Sequence, residues 1–570
     1  MIRYVIRIAV AALVVAGLTL PLSAQDIAQI AKSDPLIITG SVGMQNTYHY
    51  SSQGNSYAAP FSSMFYANIN VSLYGISMPF AISYSNTNWD YNYPHFSFSL
   101  SPTYKNWTGY LGQNTIEMSN YVMNVGFNGI GVEYRDERFR SGVFYGVLRT
   151  AINDDPNDPT ARSPQLKRQG WGFKVGYGTK RNYLDIYMLR AYDCLNSVDE
   201  YWRSRVTPEE NIVVGVRGAV APLSWLSFTA NAAVSAFNTD RTAPSIETDE
   251  SKSIDGVFTT RMSSLSRFAG DVSMNVSQVG INASITYRLV QPDYTSLGTY
   301  YMSNNYHSLG VSLSTILLRK VALSATFSAQ ADNLTKKQLY TTEGYVFGAT
   351  ASARLGRHFN LMGSFNGYIQ DQSDGTMEVT DSSRVHRQML SFTLTPSYNT
   401  SSDLFEHTVS LATSYTTNKD LNEFSTGESD VNSLSMGLTY DIGVKPWEVN
   451  FTTSLNHQQS KGYKSTYRSE IASLGVSRSF LKEKNLNLNL TGTLCYNEVK
   501  SQMKSLSIGG NLSLSYTLKK VHAITAQASL SKYGDVNISK TRGSLDDTDI
   551  SANLSYVYTF SLLELKRKNK

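Results

Sequence analysis

Residues 485–494 read N-L-N-L-N-L-T-G-T-L, a strict alternation of small polar and apolar side chains. The same alternation recurs at residues 447–456 and 505–516, and in similar runs from about Leu36 to the C-terminus. Successive side chains of a β-strand point to opposite faces, so each run predicts a strand with one apolar and one polar face. Turn-like segments separate the runs, which indicates a long series of consecutive strands.

The N-terminus has the pattern of a secretory signal peptide. Arg3 and Arg7 form a positive region, residues 8–20 are apolar, and residues 22–24 are suited to cleavage. We therefore predict a signal peptide over residues 1–24 and a short periplasmic segment over residues 25–35. No later run approaches the roughly 18 apolar residues that a membrane-spanning helix needs, so membrane insertion would require a closed β-barrel.

Composition favours the same fold class. The 570 residues include 37 Tyr and 15 Pro, and 17% of them are charged. Helical periodicity, which a soluble protein of this size normally shows, is confined to residues 27–32. The strands exceed the five or six residues typical of soluble β-proteins. The sequence therefore predicts an all-β, transmembrane up-and-down antiparallel β-barrel over residues 36–563, in the outer membrane of a Gram-negative bacterium.

The connections alternate between tight and long, as in a barrel with short periplasmic turns and long extracellular loops. Pairing each tight turn with two strands predicts about 24 strands, within a range of 22 to 26. The count reaches 26 if residues 96–101 and 107–113 also cross the wall. Many tight turns are basic, which favours a position beside inner-leaflet phosphates, although a merely solvated turn has the same composition. An even count places both termini, including a basic tail at residues 564–570, in the periplasm.

The last strand carries an aromatic signal. Tyr556, Tyr558 and Phe560 share the apolar face at the predicted membrane edge. This arrangement resembles the terminal strand signal read by the barrel-assembly machinery. We expect that machinery to insert the chain, and outer-membrane lipid to surround it.

A barrel of about 24 strands is on the order of 45 Å across, too wide for side chains to fill. Alternation begins by Leu36, so we expect no N-terminal plug domain. Residues 88–123 break the strand rhythm and are predicted to fold inward or to constrict one mouth; the alternative is an ordinary strand pair with a long loop. The aromatic candidates for this constriction are Trp89, Tyr91, Tyr93, His95, Trp107 and Tyr110.

The sequence lacks the motifs of an enzyme. The eight His residues are scattered outside any H-E-x-x-H spacing, and no G-x-S-x-G elbow is present. Gly126, Gly129 and Gly131 precede no helix that could bind phosphate. We predict no catalytic residue and no cofactor. The net charge of +5 is small for this length and does not indicate a nucleic-acid partner.

Two further patterns have ordinary explanations as well as functional ones. Oxygen-bearing side chains at Asn153, Asp155, Asn157 and Asp158 form a weak candidate Ca²⁺ site, but the central Gly and distal Glu of an EF-hand are missing, which favours a solvated turn. Glycines at 170, 172, 176 and 178 share one side of a strand. We interpret them as easing wall curvature or admitting an inward segment.

Three short stretches resemble a known group of proteins. They are R-L-V-Q-P-D-Y-T-S-L-G-T-Y-Y-M-S-N-N at residues 288–305, L-Y-G-I-S-M-P-F at residues 73–80 and L-S-P-T-Y-K at residues 100–105. Together they resemble large outer-membrane β-barrel proteins of the Bacteroidota. The resemblance implies the location and the barrel type, and it brings no catalytic or binding residues with it.

Three functions fit such a barrel. The first is porin- or channel-like passage of solutes or polymers. The second is a non-catalytic role as a subunit of an assembly, secretion or surface-display complex, with a protein partner plugging the lumen. The third is a receptor whose outward loops bind glycans or proteins through Tyr and Trp. Passage is the commonest outcome for barrels and ranks slightly ahead of the subunit role.

Overall fold

The computed structural model describes residues 36–54, 60–86, 96–155, 157, 162–246, 258–481, 483–500, 503–535, 545 and 547–565. The predicted signal peptide, the segment 25–35 and residues 566–570 lie outside these ranges. Within them the chain is almost entirely β-structure, with a single 3₁₀ turn at Leu195–Ser197 and one short helix, α1, at Glu200–Arg203. No helix in the described ranges has the length and apolarity needed to cross a bilayer.

The strands of the first half, in chain order, are β1 Leu36–Ser51, β2 Phe61–Leu73, β3 Ile76–Ser85, β4 Phe96–Leu100, β5 Thr103–Tyr104, β6 Trp107–Asn114, β7 Phe127–Arg135, β8 Phe139–Arg149, β9 Lys167–Gly178, β10 Tyr183–Cys194, β11 Glu210–Val220, β12 Leu226–Asn238, β13 Ser264–Gln278 and β14 Ile281–Val290. Those of the second half are β15 Tyr306–Leu317, β16 Val321–Asp332, β17 Tyr340–Leu355, β18 Phe359–Asp374, β19 His386–Ser401, β20 Phe405–Asp420, β21 Val431–Val444, β22 Val449–Lys461, β23 Thr466–Phe480, β24 Leu486–Val499, β25 Met503–Leu518, β26 His522–Asp535 and β27 Asp547–Leu565.

The sheet closes on itself. Each strand pairs antiparallel with its sequence neighbours, and β1 pairs with β27 from Leu36 opposite Leu565 to Ser51 opposite Asp549. Strands β4 and β5 both lie between β3 and β6 and share one position in the wall, so the closed barrel has 26 strand positions. The predicted barrel is confirmed at the upper end of its range, because β4 to β6 do cross the wall.

The two faces of the wall follow the sequence alternation. Leu490 of β24 pairs with Val476 of β23 and Leu512 of β25, and these apolar residues point outward. Leu490 is 49% exposed in the protein alone, and in a membrane lipid would cover this side chain. Asn489 and its partner Ser513 point the opposite way, into the lumen. The same parity holds along most of the wall, with register shifts between Ile38 and Thr39 and between Val147 and Arg149.

Some strand limits differ from those predicted. Strand β22 begins at Val449, so Trp447 lies in the preceding turn, where Glu448 has a φ of +53°. Strand β27 runs to Leu565, two residues beyond the predicted end of the barrel. The strands also differ in length. Strand β6 has 8 residues and β17 has 16, so the wall is much lower around β6.

Candidate functional site

The lumen contains an inner segment, residues 115–126, that leaves the wall where β6 ends. It carries apolar side chains that are almost completely buried: Ile116, Met118, Tyr121, Val122 and Met123 are all 5% exposed or less. The segment turns on itself at Ser119, whose carbonyl accepts the amides of Val122 and Met123. A chain segment with this much buried apolar surface is a packed part of the fold rather than a solvated loop.

An inner loop, residues 291–305, enters from the same end of the barrel and clamps the inner segment. Met123 pairs in parallel with Gly298. The hydroxyl of Tyr294, which is 1% exposed, donates to the carbonyl of Tyr121 at 2.8 Å. Ser296 Oγ donates to the carbonyl of Val122 at 2.5 Å. These bonds join the two pieces into one unit, which we call the inner plug.

The wall is adapted to receive the inner plug. On β10 to β14 the lumen-facing positions, elsewhere polar, carry apolar residues that are 2% exposed or less: Leu189, Val213, Ala233, Ala269 and Val290. At Gly215, on the same face, an added Cβ would lie 2.5 Å from Val122 Cγ2. A side chain there would collide with the inner segment, so this glycine permits the close approach.

Polar bonds fix the inner plug to the wall beside this apolar contact. The Tyr121 hydroxyl donates to Asp271 Oδ1 at 2.6 Å, and Ser119 Oγ donates to Asn231 Oδ1 at 2.7 Å. Burial and the bond to Asp271 raise the pKa of Tyr121, so its hydroxyl stays protonated and remains a donor at neutral pH. Burial likewise raises the pKa of Tyr294.

A recess of about 350 Å³ lies below the inner plug and is lined by charges of both signs. Arg140 binds Asp185 at 2.7 Å, and Lys174 binds Glu133 at 2.9 Å. The Lys174 ammonium also donates to the backbone carbonyl of Glu117 in the inner segment at 3.1 Å. Both cations are therefore matched by nearby anions, and Lys174 connects the wall to the underside of the inner plug.

The other half of the lumen is lined by hydroxyl groups. Cross-strand bonds join Ser391 to Thr416 at 3.0 Å and Ser433 to Ser460 at 2.7 Å. In the described part of the chain, every buried apolar cluster lies within residues 110–306. A barrel of 26 strands is roughly 50 Å across its backbone. The inner plug therefore covers one side of the lumen, and within the described ranges no other segment packs against the polar side.

The inward fold predicted for residues 88–123 occurs in its last part only, and the aromatic candidates do not form it. Trp107 was a wrong candidate, because it faces outward against Tyr134 and is 45% exposed. Tyr110 does face the lumen, where it packs on Phe127 and donates to Glu133 at 2.9 Å. Trp89, Tyr91, Tyr93 and His95 lie outside the described residues.

The remaining sequence candidates fall in ordinary structural roles. Asn153 Oδ1 accepts the amide of Asp199, and Asp155 Oδ1 accepts the amide of Asn157, while Asp158 lies outside the described ranges. The described residues hold no cluster of three or more His, Cys, Asp or Glu suited to a metal ion. Of the glycine row on β9, Gly172 makes room for Phe144 of the neighbouring strand, not for the inner segment.

The sequence does contain a signal for the inner plug, which is a departure from the alternation of polar and apolar residues in some strands. Leu189, Val213 and Val290 occupy the polar register of strands whose outward register is also apolar. Strands that are apolar on both faces are buried on both faces. That pattern on β10 to β14 marks the part of the wall that another segment covers.

Comparisons with known proteins found matches among solved structures only. No family model and no curated protein matches the chain. Among solved structures, the translocation pore of the P pilus usher PapC is 9% identical, with a TM-score of 0.36, and the match covers 92% of this chain and all of that one. OccAB2 of Acinetobacter baumannii is 10% identical, with a TM-score of 0.31, over 62% of this chain and 92% of its own.

OpdK of Pseudomonas aeruginosa, solved with vanillate, is 12% identical, with a TM-score of 0.30, over 66% of this chain and 98% of its own. All three TM-scores are below 0.5, so the overall shapes agree only loosely. The similarity assigns neither a solute nor a partner to this chain.

Proposed function

We propose that the chain is a non-catalytic channel of the Gram-negative outer membrane that passes hydrophilic solutes or polymers through the polar side of its lumen. One observation carries this proposal: the inner plug packs against the sector of the wall from β6 to β15, while the described residues leave the hydroxyl-lined remainder of a barrel roughly 50 Å wide unfilled. A largely polar surface inside an apolar shell supports aqueous passage.

The outer face supports a membrane location. Large apolar side chains are exposed on the outer face in many parts of the wall, including Leu111, Val272, Phe392, Leu455 and Leu494, which are between 44% and 56% exposed. Soluble monomers rarely expose contiguous apolar patches of more than a few hundred Å². A closed barrel with this outside surface satisfies its backbone hydrogen bonds internally and can reside in lipid.

The absence of a catalytic role is part of the proposal. Several charged groups of the lumen are paired with one another, as in Arg140–Asp185 and Lys174–Glu133. Lys174 also bonds to the inner plug, and both pairs have structural roles. They do not place a base beside a nucleophile, as acid–base or covalent catalysis requires.

Planar-bilayer recording of the purified, refolded protein tests the channel. We expect a large, steady conductance that persists without any added partner. Flux of a hydrophilic dye from proteoliposomes gives a second readout. Silence in both measurements, from protein whose gel mobility is heat-modifiable and which is therefore folded, would exclude an open channel.

The width of the lumen that the described residues leave unfilled also favours a second function, as a barrel subunit whose lumen is closed by a protein partner. In this case the same polar surface is an interface rather than a water-filled path. We expect a stoichiometric partner to co-purify from mildly solubilised outer membranes, and conductance to appear only after its removal. Conductance that is unchanged in the native complex would contradict this function.

A further inference from the structure

The side chain of Glu117 extends from the inner segment into the charged recess below the inner plug, where two arginines of the wall share its carboxylate. Arg135 of β7 lies 3.4 Å from Oε2, and Arg217 of β11 lies 3.8 Å from Oε1. Each oxygen therefore faces a guanidinium group from a different strand. A planar guanidinium group suits a carboxylate partner, so the two arginines form a carboxylate site whose occupant belongs to the chain itself.

Glu117 is the most weakly held acidic residue among the ion pairs of this recess. Asp185 binds Arg140 at 2.7 Å, and Glu133 binds Lys174 at 2.9 Å, distances typical of strong charge-assisted hydrogen bonds. The side chains of Asp185 and Glu133 are 14% and 10% exposed, whereas that of Glu117 is 68% exposed. Exposed ion pairs contribute little to stability. The Glu117 carboxylate can therefore leave its two partners at small cost.

Exchange of this carboxylate requires no movement of the inner plug. Ile116 and Met118, on either side of Glu117, are 4% and 5% exposed and hold the backbone in the apolar cluster. The Lys174 ammonium donates to the carbonyl of Glu117 at 3.1 Å and fixes it to the wall. Rotation about the side-chain bonds of Glu117 is thus enough to uncover the two arginines.

The uncovered arginines need another anion. Among the described residues, Glu117 is the only acidic side chain within ion-pair distance of Arg217. Arg135 keeps a contact with Glu133 at 3.3 Å, but that carboxylate is already bound to Lys174. Arg217 and Arg135 are 43% and 53% exposed, so a solute in the lumen can reach both. A solute carboxylate can therefore replace that of Glu117 and make the same two contacts.

The recess has room for the rest of a small solute. Its volume is about 350 Å³, at the lower end of the range for ligand pockets. Tyr183 and Tyr187 also line it and offer aromatic surface to a carbon skeleton. The Arg140 guanidinium lies over the Tyr183 ring, 5.3 Å from its centre. The size of the recess favours a short organic acid over a polymer.

We propose that this recess is a binding site for small organic carboxylates, in which Glu117 is an exchangeable internal occupant. The solute carboxylate takes the place of the Glu117 carboxylate between Arg135 and Arg217, and the solute carbon skeleton lies in the recess beside the two tyrosines. The role of such acids as transported solutes rests on the proposed channel function. Binding itself requires only the folded barrel.

Titration of the refolded full-length protein with propionate, followed by ligand-observed NMR, tests the site. Propionate reproduces the end of a glutamate side chain, and propionamide is its uncharged analogue. We expect saturable binding of propionate and none of propionamide. Glu117→Gln should strengthen propionate binding about tenfold, because an internal competitor that fills the site nine-tenths of the time weakens the apparent affinity by about this factor. Arg217→Gln should abolish binding.

Glu137→Gln is the matched control, because Glu137 lines the same recess and the substitution changes its charge by the same amount. It should alter propionate affinity less than about twofold, and heat-modifiable gel mobility should show that every variant is folded. Equal strengthening by Glu117→Gln and Glu137→Gln would overturn the proposal, since general attraction would then explain it. Absence of saturable binding in both the parent and Glu117→Gln would also overturn it. A silent bilayer recording from protein that binds propionate would contradict the channel and leave the site intact.

Discussion

A single hydroxyl accounts for much of the attachment of the inner segment. Tyr121 is 5% exposed, and its hydroxyl donates to the carboxylate of Asp271 at 2.6 Å. Hydrogen bonds to charged groups contribute about 1.5–3 kcal/mol. We expect Tyr121→Phe to lower the opening free energy of the inner segment by this amount, measured by hydrogen exchange at the amides of Val122 and Met123. Tyr301→Phe, at an 83% exposed position, is the matched control and should leave exchange unchanged.

If both variants exchange alike, the hydroxyl of Tyr121 does not hold the segment. In that case the apolar contacts with Leu189 and Val213 and the remaining hydrogen bonds, such as Ser119 to Asn231, would keep it in place.

Substitution of Gly215, which contacts Val122, should displace the inner segment more directly. Gly215→Leu puts atoms where Val122 Cγ2 now lies, 2.5 Å from the ideal Cβ, so the inner segment must withdraw from the wall. We expect a higher conductance in planar bilayers, while the heat-modifiable gel mobility of the barrel is retained. Gly509→Leu is the control, because this lumen-facing glycine has no neighbour within 3.5 Å of its ideal Cβ. Identical conductance in the two variants would show that the inner plug does not limit passage.

At the level of strands, the depth of an outward-facing residue in the membrane determines how strongly a charged substitution there destabilises the barrel. Leu494 lies near the middle of β24 and is 47% exposed on the outer face. Leu494→Arg should destabilise the barrel by about 2–4 kcal/mol in folding titrations into lipid vesicles, because it places a charge at the bilayer midplane. Leu488→Arg should cost about 0–1 kcal/mol, since Leu488 lies near the lower end of the strand opposite Arg478.

Asn489→Arg provides the lumen-facing control for both variants, and the vesicle titration should find it close to the parent protein. A similar loss at Leu494 and Asn489 would mean that the two faces of β24 are not in different environments.

Strands and tight turns could be predicted from the sequence because their signals are local. A period of two specifies a strand and its faces, and turn residues specify where it ends, as at residues 318–320 and 481–484. The limits that were missed, such as Trp447 in a turn, depend on where the neighbouring strand stops pairing. That information is not local to the sequence.

The inner plug could be predicted only in outline for a related reason. Its position depends on contacts between residues far apart in the chain, such as Tyr121 with Tyr294 and Ser119 with Asn231. The period of polar and apolar residues gives no information about such long-range contacts. The exposed Trp107 shows the error that results, since aromatic content alone does not distinguish a lumen position from a lipid-facing one.

For the whole molecule, closure joins the two ends of the described chain. Strand β27 pairs with β1 along one edge and with β26 along the other, so it satisfies two rows of backbone groups at once. On its outer face, Tyr558 lies between His522 and Phe560 at ring-centroid distances of 4.7 and 5.6 Å. The predicted aromatic signal thus sits on the strand that completes the barrel, near the end where both described termini lie.

Removing this strand should therefore prevent closure altogether. A chain ending at residue 546 would leave β1 and β26 as two bare edges, and bare edges are not tolerated in hydrocarbon. We expect the truncated protein to lose the faster gel migration of unboiled samples and to remain protease-sensitive in lipid vesicles. A chain ending at residue 565 retains all of β27 and is the matched control, which should migrate as the full-length protein does. Heat-modifiable mobility in the shorter chain would contradict closure through β1 and β27, because a 25-position wall would then be closing by another pair of strands.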